Sequence, residues 1–554
     1  MLQNWAQFAL TVGVALAKPP ISKQYATGNF EAKCASIASK LDVENATVYF
    51  SQFVAAGQNL SIPDRNVTCG PPYQAVSADL CRIALYVATS KSSGINMEAW
   101  LPEHRSSNFS GRFLSTGNGG LAGCIGYDDM AYTTSLGFAS VGANNGHNGT
   151  SGGAFYNQPE VVADFAYRSL SRNRIHTNVL VGKEITKKFY GSPHTKSYYL
   201  GCSTGGRQGF KSAQDFPEDF DGIVAGAPAL AFNNLTSWSG HFYNVTGPPG
   251  SETFVPTAMW LTTIHEDIMK QCDLIDGYAD GIIEDASTCK YNASSLLCGG
   301  SNTDSSSCLT ATQVETVQKV FSPLTLSDGS LVYPRMQPGS EGVAAFAVYG
   351  GAPFIYNVDF FRYAIYNDPN WNPLTINETD YINAAIKNPS NIDTFKGDLS
   401  AVQARGAKIL HYHGQMDGII TSENSPRYYE HVSKTMGKTP AELDDFYRFF
   451  RISGTGHCQG GDGASVIGQA LQSFQSTDPA ENVLMAVVDW VENGNAPETI
   501  VGTHWVNGTQ SAGVDYKRAH CKYPKRNVYK GKGDPKAVES WECVEERSTK
   551  TDPC

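Results

Sequence analysis

Residues 198–209, YYLGCSTGGRQG, decide how the chain reads. Gly201-Cys202-Ser203-Thr204-Gly205 is a G-x-S-x-G match, preceded by the strand-like KSYYL and followed by the helix-compatible GRQGFKSAQDF. In that setting the motif has a mechanical meaning. A sharp strand-to-helix turn lifts the serine above a sheet, and the flanking glycines tolerate the crowding. Taken alone, the motif also fits a plain Gly-rich turn. The adjoining Cys202 competes with Ser203 for the part of nucleophile.

A serine hydroxyl attacks only when a base takes its proton, and the base needs a carboxylate to hold its tautomer. Two later loops offer these partners, each just after a strand-like segment. Asp417 follows KILHYHG, and His457 follows FYRFFRI in SGTGHCQGG. The order Ser, Asp, His is that of α/β-hydrolases. His411 and His413, inside the strand, read as ordinary polar or core residues. An acyl-transfer site also needs donors for an oxyanion. The backbone N–H of Thr204 is one; the Gly-rich STGNGGLAG supplies a second, for which Gly120 is the expectation although the sequence does not single out one glycine.

His457, like Ser203, adjoins a cysteine, Cys458. If Cys202 and Cys458 are bonded, their Cα atoms lie about 5.5–6 Å apart, and each neighbour is one Cα step of about 3.8 Å further. Such a bridge would clamp Ser203 beside His457 and deny Cys202 a thiolate. Two unrelated structural cysteines are the alternative.

The strand, loop, helix, strand rhythm of residues from about 30 to 230 (MEAWLP, GRFLSTGNGG, GFASVGANNG and KSYYLG, with the helically spaced PEVVADFAYRSLSRNR) is that of a mostly parallel α/β sheet. From about 231 to 398 the rhythm is lost, and close-spaced cysteines and an aromatic run appear. From about 405 it returns. At 554 residues the chain has ample length for a large domain with such an insertion.

A net charge of −11 with no basic stripe excludes a nucleic-acid partner. Residues 1–17 carry an apolar run ending Ala15-Leu16-Ala17, read as a cleaved signal peptide too short to span a bilayer. Ten N-x-S/T sequons, at Asn45, Asn59, Asn66, Asn108, Asn148, Asn234, Asn244, Asn292, Asn377 and Asn507, and thirteen cysteines agree with secretion to the extracellular space. The unpaired cysteine is expected to be Cys554.

With these residues in hand, the chain resembles the fungal tannase and feruloyl esterase family, whose CS-D-HC signature is matched by Cys202-Ser203, Asp417 and His457-Cys458. STGNGGLAG, VADFAYRSL and DWVENG extend the likeness. The resemblance implies an α/β-hydrolase fold with an inserted lid: a catalytic domain of 18–230 and 399–554 and a lid of 231–398. It implies a Cys202–Cys458 disulfide and hydrolysis of phenolic esters, nearest to type B feruloyl esterases, which release ferulic, p-coumaric or caffeic acid from plant cell-wall or chlorogenic-type esters.

It also implies a calcium ion in the lid, held in CDLIDGYADGIIEDASTC by Asp273, Asp276 and Asp280 with the carbonyls of Tyr278 and Ile282. Without the family, an acidic turn bounded by a disulfide fits that stretch equally well. Cys272 with Cys289, Cys298 with Cys308, Cys34 with Cys81, Cys69 with Cys124, and Cys521 with Cys543 are the companion pairings, which sequence alone does not fix. Two other readings stand beside this one. A tannase would act on galloyl esters, although the lid has no dibasic site of the kind at which many fungal tannases are processed. A catalytically silent carbohydrate- or cell-wall-binding protein on a hydrolase scaffold would have no need of all the catalytic parts together.

Overall fold

The apolar runs flanking the serine and histidine loops lie side by side as central strands. The computed structural model describes residues 27–103, 111–167, 177–299 and 307–545; the leader at 1–17, the sequon at Asn108 and Cys554 lie outside them. Nine strands form one sheet: β1 (Ala46–Val54), β2 (Leu80–Ala88), β3 (Gly94–Pro102), β4 (Arg112–Thr116), β5 (Ala139–Ala143), β6 (Lys196–Cys202), β7 (Gly222–Gly226), β8 (Lys408–Gly414) and β9 (Tyr447–Ile452). Their spatial order is β1-β2-β3-β5-β4-β6-β7-β8-β9. From β5 to β9 neighbours run parallel, while β1, β2 and β3 form an antiparallel edge.

Parallel strands need crossovers, and these bring helices to both faces, so the strands are buried on both sides. One face is covered by α1 (Thr177–Tyr190), α2 (Thr204–Asp215) and α3 (Asn424–Met436), which bury Val141, Tyr199, Ile223, Ile409 and Phe449. Opposite, Leu114, Tyr198, Val224, Leu410 and Phe450 pack against helix Val483–Asn493. Ile409 and Leu410 are both fully buried, on opposite faces of β8; each such side chain contributes about 1.5–3 kcal/mol.

Between β7 and β8 the chain leaves the sheet and builds a largely helical segment around Phe232, Trp238, Phe242, Trp260, Phe360 and Phe361, a core that also takes in Leu121, Phe155, Phe165 and Ile420 from the flanking chain. Six disulfides pair the cysteines as expected, among them Cys202–Cys458. No helix among the described residues is long and apolar enough to cross a membrane.

Candidate active site

β6, β8 and β9 end at the same edge of the sheet, and their following turns carry Ser203, Asp417 and His457. Crevices at the carboxyl ends of parallel strands are where α/β sheets hold their sites. Ser203 sits between β6 and α2 with φ 63° and ψ −123°. That left-handed conformation in a non-glycine residue costs about 1–3 kcal/mol. Its N–H donates to the Gly226 carbonyl, and its carbonyl accepts from Arg207 and Ala229, each at 3.0 Å. Glycine is required alongside, because a Cβ on Gly201 would stand 2.8 Å from the Gly205 backbone.

Thr204 opens α2, where the first backbone N–H groups have no partner within the helix. Its hydroxyl donates to the Gly120 carbonyl at 2.7 Å, tying the Gly-rich loop to the serine turn. Gln208 reinforces the tie: its Oε1 accepts from the Asn118 N–H at 3.1 Å and its Nε2 donates to Asn118 Oδ1 at 3.2 Å. Gly120 itself has φ 54° and packs under the Tyr356 hydroxyl.

His457 Nδ1 and Asp417 Oδ2 are 2.7 Å apart. Asp417 is fully buried, and its Oδ1 accepts from the N–H groups of Ile419 and Ile420 at 2.9 Å. Burial alone would raise its pKa. The opposing charge of His457 and the hydrogen bonds from His413 and His457 outweigh that and hold the carboxyl well below its ordinary range. The Cys202–Cys458 bridge joins the serine and histidine turns across 256 residues with a Cα separation of 5.9 Å, and Cys458, like Ser203, has a positive φ of 66°.

The inserted segment supports this arrangement directly. Gln337, fully buried, donates to the Asp417 carbonyl at 2.8 Å and accepts from the Thr421 hydroxyl and Ser422 N–H. Arg335 pairs with Glu423 at 3.1 Å. A small cavity beside Ser203 is lined by Gly120, Leu121, Phe232, Leu235, Phe354, Tyr356, Ile419 and Ile420. Of the aromatic run, Phe354 and Tyr356 reach this cavity, whereas Phe361 and Trp371 stack on each other within the segment's core. Two histidines that sequence reading passed over, His411 and His413, lie fully buried behind Asp417. Their only sequence signal is the i, i+2 spacing on the strand that leads into the Asp417 turn.

In the acidic loop, Gly281 N–H donates to the Asp273 carboxylate, Tyr278 and Glu284 N–H to Asp276, and Ile282 N–H to Asp280. Asp280 also pairs with Arg518 at 2.9 Å. Among the described residues, no three His, Cys, Asp or Glu side chains converge as a metal cluster. The expected set is different in kind, since it mixes carboxylates with backbone carbonyls. It is all hard oxygen, as calcium prefers. Burial first, and then the charges of Glu284 and Asp280, push Asp276 up to about 8, while Arg518 pairs with both of those neighbouring carboxylates.

A probable feruloyl esterase B-2 of Aspergillus terreus is 54% identical over 532 residues, covering 96% of this chain and 98% of its own. The crystal structure of feruloyl esterase B from Aspergillus oryzae superposes with a TM-score of 0.89 at 51% identity, covering 93% of this chain and all of that one. Tannin acyl hydrolase from Aspergillus niger shares the fold at 22% identity and a TM-score of 0.68, over 94% of this chain and 95% of that one. The family model described as tannase and feruloyl esterase matches residues 81–544, and with identity above one half across nearly the whole length, the chain belongs to the tannase and feruloyl esterase family.

Proposed function

We propose that the protein is a secreted serine carboxylic ester hydrolase that releases ferulic and related hydroxycinnamic acids, p-coumaric and caffeic among them, from plant cell-wall or chlorogenic-type esters. His457, oriented by Asp417, takes the Ser203 proton as the serine oxygen attacks the ester carbonyl. The N–H groups of Thr204 and Gly120 receive the oxyanion. Collapse expels the alcohol, which takes its proton from His457. Water, deprotonated by the same histidine, then attacks the acyl-enzyme and frees the acid.

The observation that carries the substrate choice is the wall of the cavity. Leu121, Phe232, Leu235, Ile419 and Ile420 are apolar; besides Ser203 and Thr204, the hydroxyls of Thr236, Ser239 and Tyr356 line the cavity, of which Thr236 donates to the Phe232 carbonyl at 3.0 Å, Ser239 to that of Thr236 at 3.1 Å, and Tyr356 stands over Gly120. A galloyl ring would bring three hydroxyls to this largely apolar wall, and each one left unpaired would cost about 1–3 kcal/mol. A methoxylated cinnamoyl group asks less of such a wall.

Calcium would be held by Asp273, Asp276 and Asp280 with the carbonyls of Tyr278 and Ile282, where it supplies structural charge neutralisation and no chemistry. Sequons on exposed asparagines such as Asn45, Asn148 and Asn507 support glycosylation and export.

Hydrolysis of methyl ferulate, methyl caffeate and methyl gallate by wild type and Ser203→Ala tests the reading. The expected outcome is hydroxycinnamate preference and a kcat lowered about 10³-fold or more in the variant. Gallate preference would transfer the protein to the tannases; unchanged turnover in Ser203→Ala would remove the mechanism.

A further inference from the structure

Asp417 does not rest on its own loop alone. β8 alternates its side chains, so Ile409, His411 and His413 all face α3, the helix that carries Ser425. His411, His413 and Tyr447 have no exposed surface and Ser425 almost none. Four contacts join them in a line: Tyr447 hydroxyl to His411 Nδ1 at 2.9 Å, His411 Nε2 to Ser425 Oγ at 2.9 Å, Ser425 Oγ to His413 Nδ1 at 2.6 Å, and His413 Nε2 to Asp417 Oδ2 at 3.1 Å.

The partners dictate where the protons sit. His413 Nε2 faces two groups that only accept, Asp417 Oδ2 and the Ile420 carbonyl, both at 3.1 Å, so that nitrogen carries hydrogen. In a neutral ring Nδ1 must then accept, and the Ser425 hydroxyl donates to it. With its one proton committed, Ser425 accepts from His411 Nε2–H. His411 Nδ1, in turn, accepts from the Tyr447 hydroxyl. Burial pushes the His411 pKa well below its ordinary value, in keeping with the neutral ring this pattern requires. Every donor in the line points towards Asp417.

We propose that His413 is a positioning residue of the hydrolytic site: its Nε2–H fixes the Asp417 carboxylate so that Oδ2 meets His457 Nδ1, and Ser425, His411 and Tyr447 hold His413 in the tautomer that can donate. The contact with Ile420 extends the effect. Ile420 donates its N–H to Asp417 Oδ1, accepts from His413 through its carbonyl, and lines the cavity beside Ser203. One imidazole thereby ties the acid to the cavity wall. An isolated buried histidine filling core space would need neither a dedicated serine donor on one nitrogen nor a carboxylate on the other.

The inference rests on the esterase reading, so activity is scored as Ser203-dependent hydrolysis of methyl ferulate by the full-length protein. His413→Leu removes donor and acceptor while keeping bulk. It should lower kcat about 10–100-fold, the scale of a misplaced catalytic group, with KM within twofold. His413→Gln offers an amide N–H and carbonyl at a similar spacing and should recover most of the loss. Ser425→Ala, a smaller change that leaves the fold intact if His413→Leu does not, should lower kcat several-fold at unchanged KM. Wild-type kcat in His413→Leu or in Ser425→Ala would overturn the proposal. So would equal losses in the Leu and Gln variants that track a fall in melting temperature. If instead wild-type hydrolysis proves independent of Ser203, the esterase reading itself fails, a result separable from the others.

Discussion

Asp417 accepts four hydrogen bonds on its two carboxylate oxygens, from Ile419, Ile420, His413 and His457. A carboxyl whose folded pKa is depressed contributes its stabilisation above the ordinary value near 3.9 and loses it only as the pH falls through the depressed value. Asp417 is held well below that ordinary value, so it stays ionised through the range in which the enzyme would work. Asp417 should therefore add no proton to the acidic limb of kcat/KM, whose logarithmic slope should not exceed one. A slope of two measured on methyl ferulate would show Asp417 titrating as well. Ser203, Asp417 and His457 were legible in sequence because each stands in a Gly-rich turn straight after an apolar strand, in an order that one fold uses. His413 was not, since a histidine inside a strand gives no sign of the serine and the carboxylate that folding brings to its two nitrogens.

At the scale of elements, the β6–α2 turn and the turn after β9 hold non-glycine residues at positive φ, Ser203 and Cys458, and one disulfide fastens the two turns together. A strained turn persists when its surroundings over-determine it. The double variant Cys202→Ser, Cys458→Ser should retain the sheet and melt cooperatively but lose at least tenfold in kcat, as followed by circular dichroism and methyl ferulate hydrolysis in parallel. Full activity without the bridge would mean that the turns hold themselves. The parallel strands β4, β5, β6, β8 and β9 were readable because burial on both faces makes them continuous apolar runs, whereas the short β7, GIVAG, went unnamed. The antiparallel β1 and β2 went unnamed, since neither leads into a motif. Of the helical spacing after Gln158, Pro159–Phe165 is a helix and Tyr167 has a φ of 66°, while residues 168–174 lie outside the described residues.

Across the whole molecule, the inserted segment and the rest of the chain are joined by charged and polar ties at several places. Arg518 pairs with Asp280 and Glu284, Arg451 with Asp285, and Arg335 with Glu423. The proposed calcium loop lies among these ties, so removing the ion should loosen the junction as well as the loop. Chelation should lower the melting temperature by several degrees and reduce hydrolysis, with calcium restoring both, because a ligand that binds only the folded state stabilises it by mass action; a melting curve indifferent to chelator would argue for an acidic turn without metal. A break in texture marked this segment in the sequence, but its ties were not visible, since they join residues 88 to 238 positions apart. Gln337 sharpens what such a junction does. It bonds to the backbone of Asp417 itself, so swinging the segment away would break a buried hydrogen bond at the acid. A cover of that kind is a fixed doorway, and its traffic is set by the width of the opening. Turnover should rise hyperbolically with a dispersed ester and pass smoothly through the concentration at which that ester forms micelles, without the jump in rate that an oil surface gives to enzymes with hinged flaps.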